Sequence, residues 1–305
     1  MDPTRSMRIV ITGPDGQVGW ECRRSLQALG QVHCVGRAQC DLTRPDAIRA
    51  TVREAAPDLI VNAAAYTAVD RAESEAELAH AVNAAAPAVL AEEAQRIGAS
   101  LIHLSTDYVF DGSKAAPYVE DDVCDPLSVY GRTKLQGEQA ILASGVPAVV
   151  LRTSWVYATR GHNFLRTIVR LAREREELRI VDDQWGAPTW ARSIAEGIAG
   201  IVARAGRDRH SIAAAFAERG GMFHLTAAGR TNWHQFAERI LTLLPDPQRR
   251  LRTMVPIPSH EYVTAARRPQ NSVLDCTHLA RQWGLALPRW DLALAFAVDV
   301  GEPLR

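Results

Sequence analysis

Lysine is almost missing from this chain. Of its 35 lysine and arginine residues, only Lys114 and Lys134 are lysine. A sequence that uses arginine nearly everywhere for positive charge has kept two copies of the cation with a compact head and a readily shifted pKa. Net charge is missing too. The 35 basic and 35 acidic residues cancel at neutral pH, which excludes a broad basic surface for nucleic acid but leaves room for a local anion site. No apolar run approaches the roughly 20 residues that cross a bilayer, and no charged-then-apolar leader opens the chain, so no membrane partner is expected. The five cysteines (Cys22, Cys34, Cys40, Cys124 and Cys276) are odd in number and lack Cys-x-x-Cys spacing. That argues against a disulfide framework or structural zinc and points to the reducing cytoplasm. Residues 1–6, ahead of the second methionine Met7, read as a disordered leader.

What is present is an alternation of short apolar runs with helical patterns. Residues 7–12, 32–35, 59–63, 101–105 and 148–152 read as buried strands. Helical spacing covers 18–29, 46–56, 75–97 with an interruption near Pro87, and 127–143. Strands alternating with helices predict an α/β fold, a Rossmann-type doubly wound parallel sheet over 7–152. After 152 the rhythm loosens into helices at 164–175, 193–205 and 233–244, a strand at 222–226, and proline-rich connections. Residues 153–305 therefore read as mainly a smaller C-terminal substrate-binding domain, with some segments returning to the first.

Gly13, Gly16 and Gly19 lie at the first strand-to-helix turn. Such glycines give a tight turn and let the backbone approach a pyrophosphate, which rests on the helix N-terminus. Gln17 and Val18 belong to the same cofactor turn. The end of strand two commonly carries an acid for the adenosine ribose diol. Here it reads Val35-Gly36-Arg37, with no acid. Arg37 suits a 2′-phosphate instead, so NADPH is expected ahead of NADH. Asp41 and Leu42 are candidate adenine-edge contacts.

Tyr130 precedes Lys134 by one helical turn, and residues four apart share a helix face. A nearby ammonium favours phenolate and makes tyrosine a usable acid. Thr106 ends strand four, at the carboxyl edge where ligands of open α/β sheets sit. These three form a carbonyl-reducing set, with Tyr130 as proton donor.

These elements resemble the extended short-chain dehydrogenase/reductase family, and within it the dTDP-4-dehydrorhamnose reductase family. The matching motifs are Gly16-Gln17-Val18-Gly19, Val61-Asn62-Ala63-Ala64-Ala65-Tyr66-Thr67, Ser105-Thr106-Asp107-Tyr108, Tyr130-Gly131-Arg132-Thr133-Lys134, Arg152-Thr153-Ser154-Trp155 and Arg267-Arg268-Pro269-Gln270-Asn271. They recur in order from about residue 7 to 275. The resemblance implies NAD(P)H-dependent reduction of a dTDP-keto-sugar, dTDP-4-dehydro-6-deoxy-L-mannose, to dTDP-L-rhamnose. It implies cofactor contacts at Ala64, Ala65, Tyr66, Thr67 and Lys134, and substrate contacts at Thr106, Asp107, Tyr108, Trp155, Asn163, Arg268 and Asn271. An aromatic wall of Tyr108 and Trp155 suits a deoxysugar with an apolar face, and the Arg267 and Arg268 forks suit a diphosphate.

Some relatives bind a divalent metal between subunits through glutamates. Glu21 is present here, but Arg192 stands where a second acid is expected. A salt bridge is expected there in place of a metal, and a monomer or weak homodimer. Two alternatives stay open at this point. One is a non-catalytic nucleotide-binding subunit like the regulatory subunit of methionine adenosyltransferase. The other is a related reductase giving the 6-deoxytalose product. The single acid after Thr106, where dehydratases of the superfamily carry an acidic pair, favours reduction over elimination.

Overall fold

In a computed structural model, residues 6–299 are described. Of the expected leader only Ser6 falls among them, and it is exposed; residues 1–5 lie outside. Six parallel strands form the central sheet: β1 (Arg8–Thr12), β2 (Gln31–Val35), β3 (Leu59–Asn62), β4 (Ser100–Thr106), β5 (Ala148–Thr153) and, much later in the chain, β7 (Gly221–His224). Their order is β7-β5-β4-β3-β1-β2.

Successive side chains of a strand point to opposite faces, and both faces here are covered, as a parallel sheet requires. Ile9, Ile11, Leu59, Val61, Ile102, Val149 and Leu151 pack against α1 (Gln17–Ser25), α6 (Ala191–Ala205), α7 (Arg209–Arg219) and α9 (Thr277–Trp283). The alternate residues Ile60, Leu101, Ala148 and Val150 face α2 (Pro45–Ala55), α3 (Ala86–Ile97) and α4 (Val129–Ala143). Three of the four helices on the first face come from beyond residue 190. A separate apolar cluster joins α5 (Phe164–Glu174), α8 (Trp233–Leu243) and α10 (Trp290–Asp299) to the parallel pair β6 (Glu177–Val181) and β8 (Thr253–Ile257).

The interruption near Pro87 is a turn of π-helix, Ala81–Ala85, between the helix Ala76–His80 and α3. Proline offers no N–H for the i−4 bond, and a π-bulge accommodates that loss. Among the described residues no helix is long and apolar enough to cross a membrane, and all five cysteines are free thiols.

Candidate active site

The strand order decides where a ligand goes. The chain runs outward from β1 to β2, then returns past β1 to β3. Ligands of open α/β sheets sit beyond the strand carboxyl ends at such a reversal. A cleft of about 680 Å³ opens there. It gathers Gly13, Gly16, Gln17 and Val18 from the first turn, Arg37, Asp41 and Leu42 after β2, and Ala64, Ala65, Tyr66 and Thr67 after β3. Tyr130 and Lys134 close it from α4.

The first turn is shaped for a diphosphate. Gly13 has φ +65°, and a Cβ there would lie 2.8 Å from the Ala64 Cα. Gly16 caps α1 without any side-chain hydrogen bond, so the first helical amides and the positive end of the helix dipole face the cleft. Gly19 lies behind the turn and does not line the cleft; its role is to let α1 approach Gly13. Past β2, Arg37 is exposed and makes no ion pair or hydrogen bond among the described residues. Asp41 accepts from the Thr43 amide at 3.0 Å and the Thr43 hydroxyl at 2.8 Å. Those two bonds hold its carboxyl below the usual range, with Arg37 adding to the effect.

The wall after β3 is held by a residue that sequence reasoning missed. Asn83, in the π-turn and 1% exposed, accepts from the Tyr66 amide at 2.8 Å and donates to the Tyr66 carbonyl at 3.1 Å. It also donates to the Thr133 hydroxyl on α4 at 3.2 Å. The available signal was a lone asparagine in an alanine-rich helix, where a buried amide needs partners.

Ser128 caps α4 by accepting from the Gly131 amide at 3.1 Å, and this start places Tyr130. A Cβ at residue 131 would fall 2.2 Å from the Tyr108 carbonyl oxygen, so glycine lets α4 press on the 3₁₀ turn Asp107–Val109. Tyr130 and Tyr108 consequently meet edge to face, with centroids 6.1 Å apart. Burial pushes the Tyr130 phenol up to about 12, while a hydrogen bond with Thr106 pulls the other way. The expected lowering by Lys134 is not what the geometry gives. The Lys134 amine turns inward, donates to the Leu104 carbonyl at 2.6 Å and lies 3.2 Å from His103 Nε2. A buried amine needs partners, and the end of β4 supplies them. Burial lowers Lys134 to about 8, and Glu138 opposes that shift.

Thr106 and Asp107 lie beside the tyrosine, both buried. The Thr106 hydroxyl donates to Asp107 Oδ1 at 3.0 Å and accepts from the Tyr108 amide at 3.2 Å. Asp107 Oδ2 is buried with no partner. Burial raises this carboxyl to about 7, against the lowering pull of the nearby Ser272 and Thr106 hydroxyls. Once protonated, Asp107 can donate to Thr106 and release the threonine proton toward a carbonyl oxygen.

Trp155 is held in a left-handed backbone conformation, φ +45°, costly for a bulky residue and characteristic of functional sites. Its indole stacks on Trp233 at 3.5 Å and 6°. Trp233, the first residue of α8 after its cap Asn232, was not legible as a partner for Trp155.

Three expected substrate contacts have other partners. Asn163 caps α5 through the Arg166 amide, and its Nδ2 donates to the Ala158 and Arg160 carbonyls and to Gln17 Oε1. It holds the 158–162 loop against the glycine turn. Asn271 donates to the Lys114 and Ala116 carbonyls and accepts from the Val273 amide. Arg268 forks onto Asp70 at 2.7 and 3.2 Å, whereas Arg267 is exposed. Away from the cleft, Arg192 Nε lies 3.2 Å from Glu21 Oε2. Among the described residues no cluster of three or more His, Cys, Asp or Glu side chains could hold a metal ion.

The chain is similar to known proteins over nearly its whole length. Residues 7–301 match the family described as RmlD substrate binding domain. A dTDP-4-dehydrorhamnose reductase of Burkholderia thailandensis is 49% identical over 96% of this chain and 98% of its own. One from Escherichia coli K12 is 41% identical over 94% and 96%. The crystal structure of the Bacillus anthracis dTDP-4-dehydrorhamnose reductase in complex with NADP superposes with a TM-score of 0.87 at 31% identity, over 97% of this chain and 99% of that one.

Proposed function

The chain belongs to the RmlD substrate-binding family, and from that membership we propose that it is an NADPH-dependent reductase. It converts the 4-keto group of dTDP-4-dehydro-6-deoxy-L-mannose (dTDP-4-dehydrorhamnose) to the alcohol of dTDP-L-rhamnose. The observation that carries this reading is one cleft with a glycine turn at one end and Tyr130 and Lys134 at the other. The Gly13–Gly19 turn holds the cofactor diphosphate, Arg37 meets a 2′-phosphate, and Ala64 to Thr67 line the dinucleotide. When bound, the dinucleotide supplies the reducing equivalent. Tyr130 gives its proton to the C4 oxygen, Thr106 orients that oxygen, and Asp107 Oδ2 takes a sugar hydroxyl. Tyr108 and Trp155 form the apolar wall, and Arg267 is the unpaired fork for the substrate diphosphate.

The test is NADPH oxidation with freshly generated dTDP-4-keto-6-deoxy-L-sugar, with product configuration at C4 read by NMR. Rhamnose configuration is expected. A talose product would replace the proposed substrate outcome, and a purified protein that leaves the keto-sugar untouched would favour a binding subunit. NADH remains a usable but weaker cofactor in this reading. Charge-assisted hydrogen bonds contribute about 1.5–3 kcal/mol, so Arg37→Ala should weaken NADPH binding by about 10–100-fold and leave NADH binding near its starting value. Equal losses for both dinucleotides would remove Arg37 from 2′-phosphate recognition.

We further infer a cytoplasmic monomer or weak homodimer, with the Glu21–Arg192 pair supporting an interface that needs no divalent ion. Sedimentation profiles should be the same with EDTA and with magnesium; dimerisation on adding magnesium would contradict this.

A further inference from the structure

A parallel sheet covered on both faces calls for apolar side chains throughout, and one row of this sheet departs from that. The register sets Thr12 of β1 beside Asn62 of β3, and Asn62 beside His103 of β4. All three are buried, as is Lys134 above them. We propose that His103, backed by Asn62 and Thr12, is a positioning residue for Lys134, so that a row of polar side chains ties the catalytic amine to the floor of the glycine turn.

Each group in the row satisfies the next, as buried polar groups must. Thr12 Oγ1 donates to Asn62 Oδ1 at 2.6 Å. The Ala64 amide donates to the same oxygen at 3.3 Å. With Oδ1 engaged by two donors, Asn62 Nδ2 faces His103 Nδ1 at 2.9 Å and donates to it. The ring proton therefore sits on Nε2, 3.2 Å from Lys134 Nζ. An N–H aimed at Nζ meets the lone pair of an uncharged amine and repels an ammonium. The row thus works in the same direction as burial, which lowers Lys134.

On α4, Glu138 is the titratable group that acts on this amine. Glu138 is engaged by Arg152 of β5 at 2.7 and 3.0 Å. His103 itself is held far below the usual imidazole range, chiefly by burial, so it stays neutral. The opposite end of the row reaches Ala64, whose backbone abuts Gly13. The turn that seats the cofactor and the amine that closes the cleft therefore share one buried frame.

The inference rests on the reductase reading for its consequences in rate, so its first test needs no substrate. In histidine-¹⁵N-labelled protein, with His103→Gln used to assign the ring, His103 should show an unprotonated Nδ1 and a protonated Nε2. Lys134→Met should displace the Nε2 resonance, and Thr12→Val the Nδ1 resonance. A ring protonated on Nδ1, or a His103 signal indifferent to Lys134→Met, would overturn the proposal even if the enzyme reduces the keto-sugar. In kinetics, misplacing a catalytic group costs about 10²-fold. His103→Leu should lose about that much in kcat with little change in KM for NADPH. His103→Gln, which keeps an N–H that can face Lys134, should recover most of it. Equal losses in both variants that track their melting temperatures would mean packing alone and refute the positioning role. If the unaltered protein shows no reduction at all, the reductase reading fails while the NMR outcome still decides the row.

Discussion

Tyr130→Phe is expected to lower kcat by about 10²–10⁴-fold, the usual contribution of a general acid. The reasons are geometric and electrostatic together. The phenol closes the cleft from α4, opposite the glycine turn. Burial holds it near 12, so the donor form persists through neutral pH. A phenylalanine keeps the ring, hence the edge-to-face contact with Tyr108, and removes the hydroxyl with its proton and its hydrogen bond to Thr106. Melting temperature and NADPH affinity should therefore stay close to the parent values while turnover collapses. A rate within threefold or so of the parent would take the phenol out of the mechanism, because about 0.6 kcal/mol is far below what acid catalysis supplies.

The same variant separates Tyr130 from its neighbours in pH dependence. Asp107 lies near 7 and Lys134 near 8. Bends in the rate profile of the parent enzyme between about pH 6 and 9 are expected from those two groups, whose values depart from the ordinary carboxyl and amine through burial. The residual activity of Tyr130→Phe should keep the same bends at a lower level.

Local features of this site were legible in the sequence. The glycine turn, the unpaired Arg37 after β2 and the Tyr130/Lys134 spacing are each set within a few residues, and each lines the one cleft. Features that depend on distant partners were not legible. Arg268 reads as a free phosphate fork until the fold brings Asp70 to it across nearly 200 positions. Asn163 reads as a sugar contact, although an asparagine before the apolar run of α5 is also a helix cap, and capping is what the geometry shows. Lys134 was expected to act on Tyr130 through space, but the carbonyl end of β4 and the His103 ring compete for its amine. Strand β8 was hidden for another reason. Pro256 argues against a strand in sequence, yet β8 pairs only with β6 in a two-stranded sheet, where a missing N–H can face outward. Trp233 carried no local signal, since its role exists only in the stack with Trp155.

Gly19→Ala should be the most damaging single methyl in the cofactor half, even though residue 19 does not touch the cleft. A Cβ there would lie 2.1 Å from the Gly13 carbonyl oxygen and 2.8 Å from its carbon. Real Cβ atoms do not come that close, and both obstacles are backbone, so α1 must move away from the turn. Overpacking of this kind costs about 1–3 kcal/mol. It also displaces the helix N-terminus that presents its amides to the diphosphate, and a shift of about 1 Å at such a site is worth about 10²-fold. Gly16→Ala is the informative partner. Its Cβ would meet only the Gly13 oxygen at 3.3 Å, on an exposed residue, so the fold can absorb it while the methyl still intrudes on the diphosphate seat. Thermal unfolding together with NADPH fluorescence titration should then split the pair: Gly19→Ala loses both stability and affinity, and Gly16→Ala loses affinity at nearly unchanged melting temperature. If both variants bound NADPH as the parent does, the turn would be an ordinary strand-to-helix connection, and the cofactor would have to be held by the walls after β2 and β3 alone.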